Sequence, residues 1–344
     1  MNIFELMQSK ELGAYWSVLA QGEAPYACEE LFPSKKKMGL DLKWLKGSKG
    51  LPVVLKVSAF DAHAIPRPRI GLAKVTAEMP YFKESKYIDE EMRQSLNLVL
   101  ATGNQEYIDS IVTRIFDDQM ELIRGARVAR ERMRMQALTT GLVSMKCNGQ
   151  ALDYDYGISH KKTVGVSWSN RASAKPIEDI RALQEEIYRE TGSRPTRAMC
   201  DLATWNNIKN NEEVKKSIYV LTQGEGYVND KKLEDFLFDE LKIKVYVNES
   251  MYRDENGQEL KFMPADTFVM FPEGALGNTW FGTTPAESDL MNHVGSDVSI
   301  VDNGVAINII KHDDPVNTET IISQISLPSF EQADKVGIID TTAE

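Results

Sequence analysis

Residues 104–140 read NQEYIDSIVTRIFDDQMELIRGARVARERMRMQALTT, and this stretch says most about the architecture. Its apolar side chains recur at steps of three or four residues, with one gap bridged by Gln119, which predicts a single long α-helix. Asn104 can cap the first turn, and Gly141 stands where a glycine commonly ends a helix. The predicted apolar stripe comprises Ile108, Ile111, Ile115, Leu122, Ala126, Ala129, Met133 and Ala137.

A helix of this length is a rod of roughly 54 Å, about three times as long as the mean globular helix. One narrow apolar stripe beside a long polar surface indicates a helix that lies across a sheet or along neighbouring subunits, not one buried in a core. We call it the spine helix. The residues expected to pack it are Ile108, Ile111, Ile115, Leu122 and Met133.

The second half of the spine helix is rich in arginine, with Glu131 as its one acidic residue between positions 124 and 134. Two interpretations stay open. The basic face could contact DNA phosphates or an acidic neighbouring subunit. Alternatively, the cations favour the helix C-terminus and their long stems cover apolar surface. The candidate face comprises Arg124, Arg127, Arg130 and Arg134, with Arg132 nearby.

Two extensions precede the spine helix. Residues 1–46 form an irregular arm without enough apolar periodicity for a core of its own. In residues 47–86, LPVVLKVSAF and AKVTAEMPYF read as two strands around the proline-rich segment DAHAIPRPRIG. An isolated two-stranded hairpin is marginally stable, so this one is expected to pack on a partner surface. Its candidate contacts to acidic surface on a neighbouring copy are Lys56, Arg67, Arg69 and Lys74.

The rest of the chain alternates helices and strands. Asn256-Gly257 predicts a hairpin turn, and Asp313-Asp314-Pro315 predicts a turn between two terminal β runs. Asp153 and Asp155 alternate along a probable strand and could bind a divalent cation, but a solvated strand face is the favoured interpretation.

Composition narrows the class of protein. The chain has 344 residues, 42% apolar and 26% charged, with a formal net charge of −11, which is typical of a soluble globular protein. No apolar run approaches the ~18 residues of a membrane span, and no secretory signal is recognisable at the N-terminus, so no membrane partner is expected. Three cysteines at unrelated spacings favour a reducing cytoplasm over a disulfide framework. Charge is uneven, because residues 35–75 contain ten basic and two acidic residues.

Motifs for catalysis and cofactors are missing from the sequence. Phosphate-binding loops, dinucleotide fingerprints, the H-E-x-x-H and C-x-x-C patterns and G-x-S-x-G do not occur. The four histidines, His63, His160, His293 and His312, contain no pair at helical spacing. These absences do not exclude an enzyme, because catalytic triads are defined by geometry and not by sequence order, but they make one less expected. We expect no enzyme activity, no cofactor and no metal, and the family resemblance described next supplies no catalytic residues.

The order of elements resembles the tailed-bacteriophage major capsid proteins of the lambda capsid protein E type. The resemblance covers nearly the whole chain. One similar stretch is 152–183, in which a Tyr/Asp-rich strand precedes Trp168 and Pro176 opens a helix. A second is 197–211, with Asp201 and Trp205 in matching places. The third is 262–287, whose matching residues are Gly274, Gly277, Trp280, Phe281 and Gly282.

This resemblance implies a structural protein of α+β class with the tailed-phage capsid fold, which assembles with itself into hexamers and pentamers of an icosahedral or prolate head around double-stranded DNA. It implies assembly in the host cytoplasm, residence in the virion, non-specific contact with packaged DNA, and scaffold, portal or decoration proteins as further partners. The implied parts are an N-terminal arm (1–46), an extended hairpin loop (47–86), a peripheral domain (87–172) with the spine helix, an axial domain (173–299) and terminal strands returning to the peripheral domain (300–344).

Two other functions stay open at this point. A nucleic-acid-binding protein could use the basic arm and the arginine-rich helix end. A hydrolase with a scattered site in the middle domain would show a concave pocket with convergent titratable groups.

Overall fold

The computed structural model describes residues 8–46, 73–88, 90, 94, 98, 105–147, 150–222, 227–291, 297–314 and 316–343. The described helices, labelled in chain order, are α1 (Ser9–Leu19), α2 (Gln105–Thr140), α3 (Pro176–Thr191), α4 (Leu202–Asn210), α5 (Glu212–Thr222), α6 (Asp230–Leu241) and α7 (Pro285–Met291), with a 3-10 turn at Ala333–Lys335. None of these helices combines the length and the apolar character needed to cross a bilayer.

The strands are labelled in the same way. They are β1 (Ser34–Lys36), β2 (Asp41–Lys46), β3 (Ala73–Glu78), β4 (Tyr81–Ile88), β5 (Leu142–Cys147), β6 (Gln150–Asp155), β7 (His160–Val164), β8 (Arg197–Cys200), β9 (Lys244–Val247), β10 (Met251–Arg253), β11 (Glu259–Lys261), β12 (Thr267–Phe271), β13 (Asn278–Phe281), β14 (Asp297–Val301), β15 (Val305–Asp313), β16 (Val316–Ser329) and β17 (Gly337–Ala343).

The chain forms two compact units. Unit 1 is built from the described parts of Met1–Leu42, Thr76–Arg132 and Asn278–Ser329. Unit 2 is built from the described parts of Lys43–Val75, Met133–Gly277 and Phe330–Glu344.

Unit 1 is organised by the long strand β16. Its sheet has the order β1-β13-β16-β15-β14, and β4 also pairs with β16. β15 and β16 pair antiparallel up to Asp313 opposite Val316, which confirms the predicted turn. The core between this sheet, α1 and the first part of α2 contains Leu12, Trp16, Met120, Leu122, Ile123, Val301, Val305, Ile307, Ile309 and Ile322.

Unit 2 is built on a mixed sheet of order β7-β17-β12-β8-β9. Pro176 begins α3, and Gly192, at φ +71°, ends it in the left-handed conformation that a glycine adopts at low cost. Asp201 accepts a hydrogen bond from the Thr204 amide and so caps α4. The predicted Asn256-Gly257 hairpin is confirmed, since β10 and β11 pair antiparallel around Gly257 at φ +79°.

The spine helix extends over Gln105–Thr140. Its first part carries the predicted stripe, with exposed residues such as Thr113 and Asp117 between buried ones. Between 130 and 139, however, eight of ten side chains are buried, so this part is not the half-exposed rod that the narrow stripe predicted. The reason is that its polar side chains, Arg130, Glu131 and Arg134, are themselves buried.

Three of the sequence-based parts are divided differently in the structure. Strand β3 forms a two-stranded sheet with β2, which the sequence analysis assigned to the arm, whereas LPVVLKVSAF lies outside the described residues. Within 300–344, β15 and β16 belong to the sheet of unit 1, but β17 lies between β7 and β12 in the sheet of unit 2. Similarly, β13, α7 and β14 of the predicted axial domain belong to unit 1.

Candidate functional site

The packing residues predicted on the spine helix fall into two groups. Ile115, Leu122 and Met133 are buried, and Leu122 lies in the core of unit 1. The side chains of Ile108 and Ile111 lie outside the described residues, although the helix backbone continues through both. Of the remaining stripe residues, Ala137 is buried and Ala126 and Ala129 are half-buried, so the described part of the stripe packs mainly inside the protein.

The arginine-rich face is occupied by acidic residues of the N-terminal segment. Arg124 Nε lies 2.7 Å from Glu23 Oε1, and Arg127 Nη1 lies 2.6 Å from Glu23 Oε2. The second nitrogen of Arg127 reaches Glu29 at 3.2 Å. One glutamate thus bridges two arginines one helical turn apart, which fastens the segment after α1 onto the spine helix.

Aromatic rings surround the Arg127 guanidinium. Its central carbon lies 5.9 Å from the centre of the Trp16 ring and 5.5 Å from that of Tyr26. Burial by itself would lower the pKa of Arg127, but the charges of Glu29, Asp302 and Glu23 outweigh it and raise that pKa. The cation is therefore stabilised inside unit 1.

Arg130 makes the deepest contacts. Its Nη1 donates to Gln324 Oε1 at 2.8 Å, and its Nη2 lies 3.0 Å from Asp302 Oδ2. The guanidinium also stacks 5.4 Å from the centre of the Phe281 ring. Only 5% of the Arg130 side chain is exposed. Arg130 therefore ties the spine helix to β16 and to the turn between β14 and β15.

Buried acidic and basic residues alternate at this end of the spine helix. Glu131, 1% exposed, accepts a hydrogen bond from the Cys28 amide at 2.9 Å. Arg134 is 2% exposed and belongs to unit 2. Among the four arginines of the candidate face, Arg124 alone keeps a substantially exposed side chain, at 42%. The structure thus assigns Arg127 and Arg130 to internal contacts instead of a DNA-facing surface.

Sequence reasoning identified the arginines but not their partners. Glu23, Glu29 and Asp302 carry no distinguishing pattern, and Asp302 is 172 residues from Arg130. The sequence feature that could have indicated these partners is the balance of charge. When a partly apolar helix with several arginines packs, the buried arginines need buried anions as partners.

The hairpin-loop residues form a second predicted site. Lys56, Arg67 and Arg69 lie outside the described residues. Lys74 falls within β3, whose backbone is described and whose side chain at this position is not. Their predicted contacts to a neighbouring subunit therefore stay a prediction.

Unit 1 also contains an open cavity of about 520 Å³ next to α1. Lys36 and Glu287 on its wall form an ion pair at 2.5 Å, and Trp16, Ser17 and Asp302 line it as well. Lys36 pairs with Glu287 and Asp302 with Arg130, so these groups are engaged in structural contacts. The cavity lies in unit 1 and not in the middle domain, where the hydrolase interpretation places its site, so it does not test that interpretation.

Comparison with known proteins identifies the family. The family model described as phage major capsid protein E matches residues 28–338. No curated protein matches the chain.

Several solved structures share the fold. A prophage protein from E. coli CFT073, assigned as a capsid protein, is 14% identical with a TM-score of 0.60 and aligns over 97% of this chain and 99% of that chain. A phage-related protein from Bordetella bronchiseptica RB50 is 13% identical with a TM-score of 0.55, over 95% and 96% of the two chains. A chain of the cyanophage A-1(L) capsid is 13% identical with a TM-score of 0.51, over 91% of each chain.

These findings confirm the predicted α+β tailed-phage capsid fold and the predicted structural, shell-forming function. They give no support to the alternative of a dedicated nucleic-acid-binding protein. Since the family match extends over most of the sequence, the chain belongs to the phage major capsid protein E family.

Proposed function

We propose that this protein assembles with copies of itself into the hexamers and pentamers of an icosahedral or prolate phage head that encloses double-stranded DNA. The observation that carries this proposal is the family match over residues 28–338 together with the capsid fold. Assembly would take place in the host cytoplasm, and scaffold, portal and decoration proteins would be further partners.

The internal ion pairs support a structural role for the basic helix end. A DNA-facing surface needs exposed cations, because affinity for phosphate comes from releasing counterions around accessible Lys and Arg side chains. Arg127 and Arg130 are buried against Glu23, Glu29 and Asp302 instead. We propose that contact with packaged DNA is non-specific and uses other surfaces, and that the protein catalyses no reaction.

Analytical ultracentrifugation and negative-stain electron microscopy of the purified, overexpressed protein test the assembly. We expect closed shells, or capsomers that convert to shells under assembly conditions. Monomers under every condition would contradict the proposal. A definite small oligomer with tight, sequence-dependent affinity for DNA would favour the nucleic-acid-binding alternative.

The hairpin loop is proposed to reach onto a neighbouring subunit through Lys56, Arg67, Arg69 and Lys74. Deleting residues 53–80 should leave a soluble protein that forms no shells, because the contact between subunits is lost. Normal particles from this deletion would refute the role of the loop. Reversing the charges in the full chain, with Arg67→Glu and Arg69→Glu, separates lost contacts from a folding defect, since these two substitutions remove no backbone.

A further inference from the structure

Three potential metal ligands converge in unit 2. His160 begins β7, and Glu186 and Glu190 lie one turn apart on α3. His160 Nδ1 is 3.5 Å from Glu186 Oε1, and His160 Nε2 is 3.5 Å from Glu190 Oε2. One nitrogen and one oxygen from each carboxylate all lie within 4.8 Å of one another. No sequence motif predicts this cluster, because the helical spacing joins two glutamates and the histidine comes from a strand.

Packing of α3 on the sheet fixes this arrangement. β7 pairs parallel with β17, and His160 lies opposite Gly337. A Cβ atom at Gly337 would come within 2.7 Å of Ile187 Cδ1 and 2.9 Å of Leu183 Cδ2. A glycine at this position therefore lets α3 approach β17 closely. Glu186 directly precedes Ile187 on α3, and Glu190 lies three residues after it.

The imidazole is buried and incompletely satisfied. His160 is 2% exposed, and its Nε2 has no hydrogen-bond partner among the described residues. The 3.5 Å to Glu190 is longer than an ordinary N–H···O hydrogen bond. A buried polar atom without a partner costs stability, so such atoms are rare unless an ion or another ligand binds them.

Neither carboxylate forms a described ion pair with a basic residue of its own helix, although Arg189 lies in the last turn. Like charges at positions i and i+4 repel, and both glutamates lie in the C-terminal half of α3, where the helix dipole disfavours anions. Their side chains are 55% and 62% exposed, so an ion can reach them from solvent. A cation between the two would remove the repulsion.

We propose that His160, Glu186 and Glu190 bind one divalent transition-metal ion, with Zn²⁺ as the best match. Zn²⁺ binds imidazole nitrogen and carboxylate oxygen at about 2.0–2.2 Å, which separates neighbouring tetrahedral ligands by roughly 3.4 Å. The two 3.5 Å distances involve different ring nitrogens, and one ion would bind a single imidazole nitrogen. The three ligand atoms lie within 4.8 Å of one another, and rotation of the exposed Glu186 and Glu190 side chains would bring them to this spacing. An imidazole ligand disfavours the binding of Mg²⁺ and Ca²⁺, because these ions prefer sites made of oxygen ligands alone. The ion would join α3 to β7, with its fourth position open to water.

Isothermal titration of the full-length protein with Zn²⁺ tests the site. We expect one ion per subunit, and we expect Mg²⁺ at the same concentration not to compete. Glu186→Gln and Glu190→Gln should each weaken binding at least tenfold. Glu185→Gln is the matched control, because it removes the same charge from the same helix at a carboxylate that pairs with Arg194; its affinity should equal that of the unchanged protein.

The Glu186 and Glu190 variants separate lost metal binding from lost folding, because both side chains are exposed and their replacement should not unfold the protein. Circular dichroism of each variant verifies this. Absence of Zn²⁺ binding, or binding equally strong in Glu186→Gln and Glu190→Gln, would overturn the proposal. So would equal competition by Mg²⁺, since it indicates a non-specific acidic surface.

Discussion

Asp302 Oδ2 accepts from Arg130 Nη2 at 3.0 Å, while Asp302 Oδ1 accepts from the Trp16 indole at 2.9 Å. One carboxylate thereby connects the spine helix, α1 and the turn between β14 and β15. Asp302 has φ +46° and Asn303 φ +65°, and Asp and Asn tolerate this left-handed region better than most residues. The turn and the ion pair therefore depend on the same residue.

Replacing Asp302 should destabilise unit 1. Asp302→Ala leaves the Arg130 charge and the Trp16 N–H without their partner and should cost about 2–3 kcal/mol of unfolding free energy. Asp302→Asn should cost less, because the amide oxygen still accepts and asparagine tolerates the backbone conformation. Urea unfolding of unassembled subunits measures both. Asp235→Ala, at an exposed position of α6, is the control and should change stability by less than ~0.5 kcal/mol.

A charge on the buried face of the spine helix should be severely destabilising. Ile115 is 6% exposed, so Ile115→Asp places a carboxylate where water cannot solvate it and should cost more than ~3 kcal/mol. Thr113→Asp introduces the same residue at an exposed position of the same helix. Soluble yield and thermal melting should fall for the first variant only. Equal melting temperatures would show that the stripe is not buried.

Two glycine-to-alanine substitutions should have opposite effects. A Cβ at Gly282 would lie 2.7 Å from Ile325 Cγ2 and 2.9 Å from the Gly39 carbonyl oxygen, so Gly282→Ala should destabilise by about 1–3 kcal/mol. Gly125 lies in the spine helix with open space around it. Gly125→Ala should stabilise by about 0.5–1 kcal/mol, because alanine loses less backbone entropy in a helix. Denaturant midpoints for both variants verify the signs.

Acid should weaken the sheet of unit 1 at Glu319. Burial would raise the pKa of this carboxyl, but hydrogen bonds from Ser85, His312 and Tyr87 outweigh it and hold the pKa below its usual 4.5. A group whose pKa is lower in the folded state contributes stability above its unfolded pKa. That contribution is therefore complete above about 4.5 and is lost as the pH falls through the folded value.

Unfolding midpoints measured as a function of pH test this. Glu319→Gln should flatten the acid limb of the stability profile relative to the unchanged protein. Glu234→Gln, an exposed residue of α6, should leave the profile as it is. An unchanged acid limb in Glu319→Gln would show that another carboxyl dominates.

The sequence-based predictions succeed where the deciding interactions join residues close together in the sequence. The spine helix, the Asn256-Gly257 hairpin and the Asp313 turn depend on periodicity and turn chemistry within a few residues, and the structure contains all three. The division of the C-terminal strands was not accessible in this way. The sequences of β16 and β17 both favour strands. What places β17 in the sheet of unit 2 is its pairing with β12 and β7.

The amino-acid sequence by itself determined the spine helix, the Asn256-Gly257 hairpin, the Asp313 turn, the family resemblance, and the concentration of arginines at the end of the spine helix. Tertiary structure decided what those arginines do and brought His160 to Glu186 and Glu190. The physical reason is that a helix period constrains neighbours three or four residues apart. An ion pair such as Arg130–Asp302 joins residues 172 apart, and its existence depends on how the packed elements place and desolvate both charges.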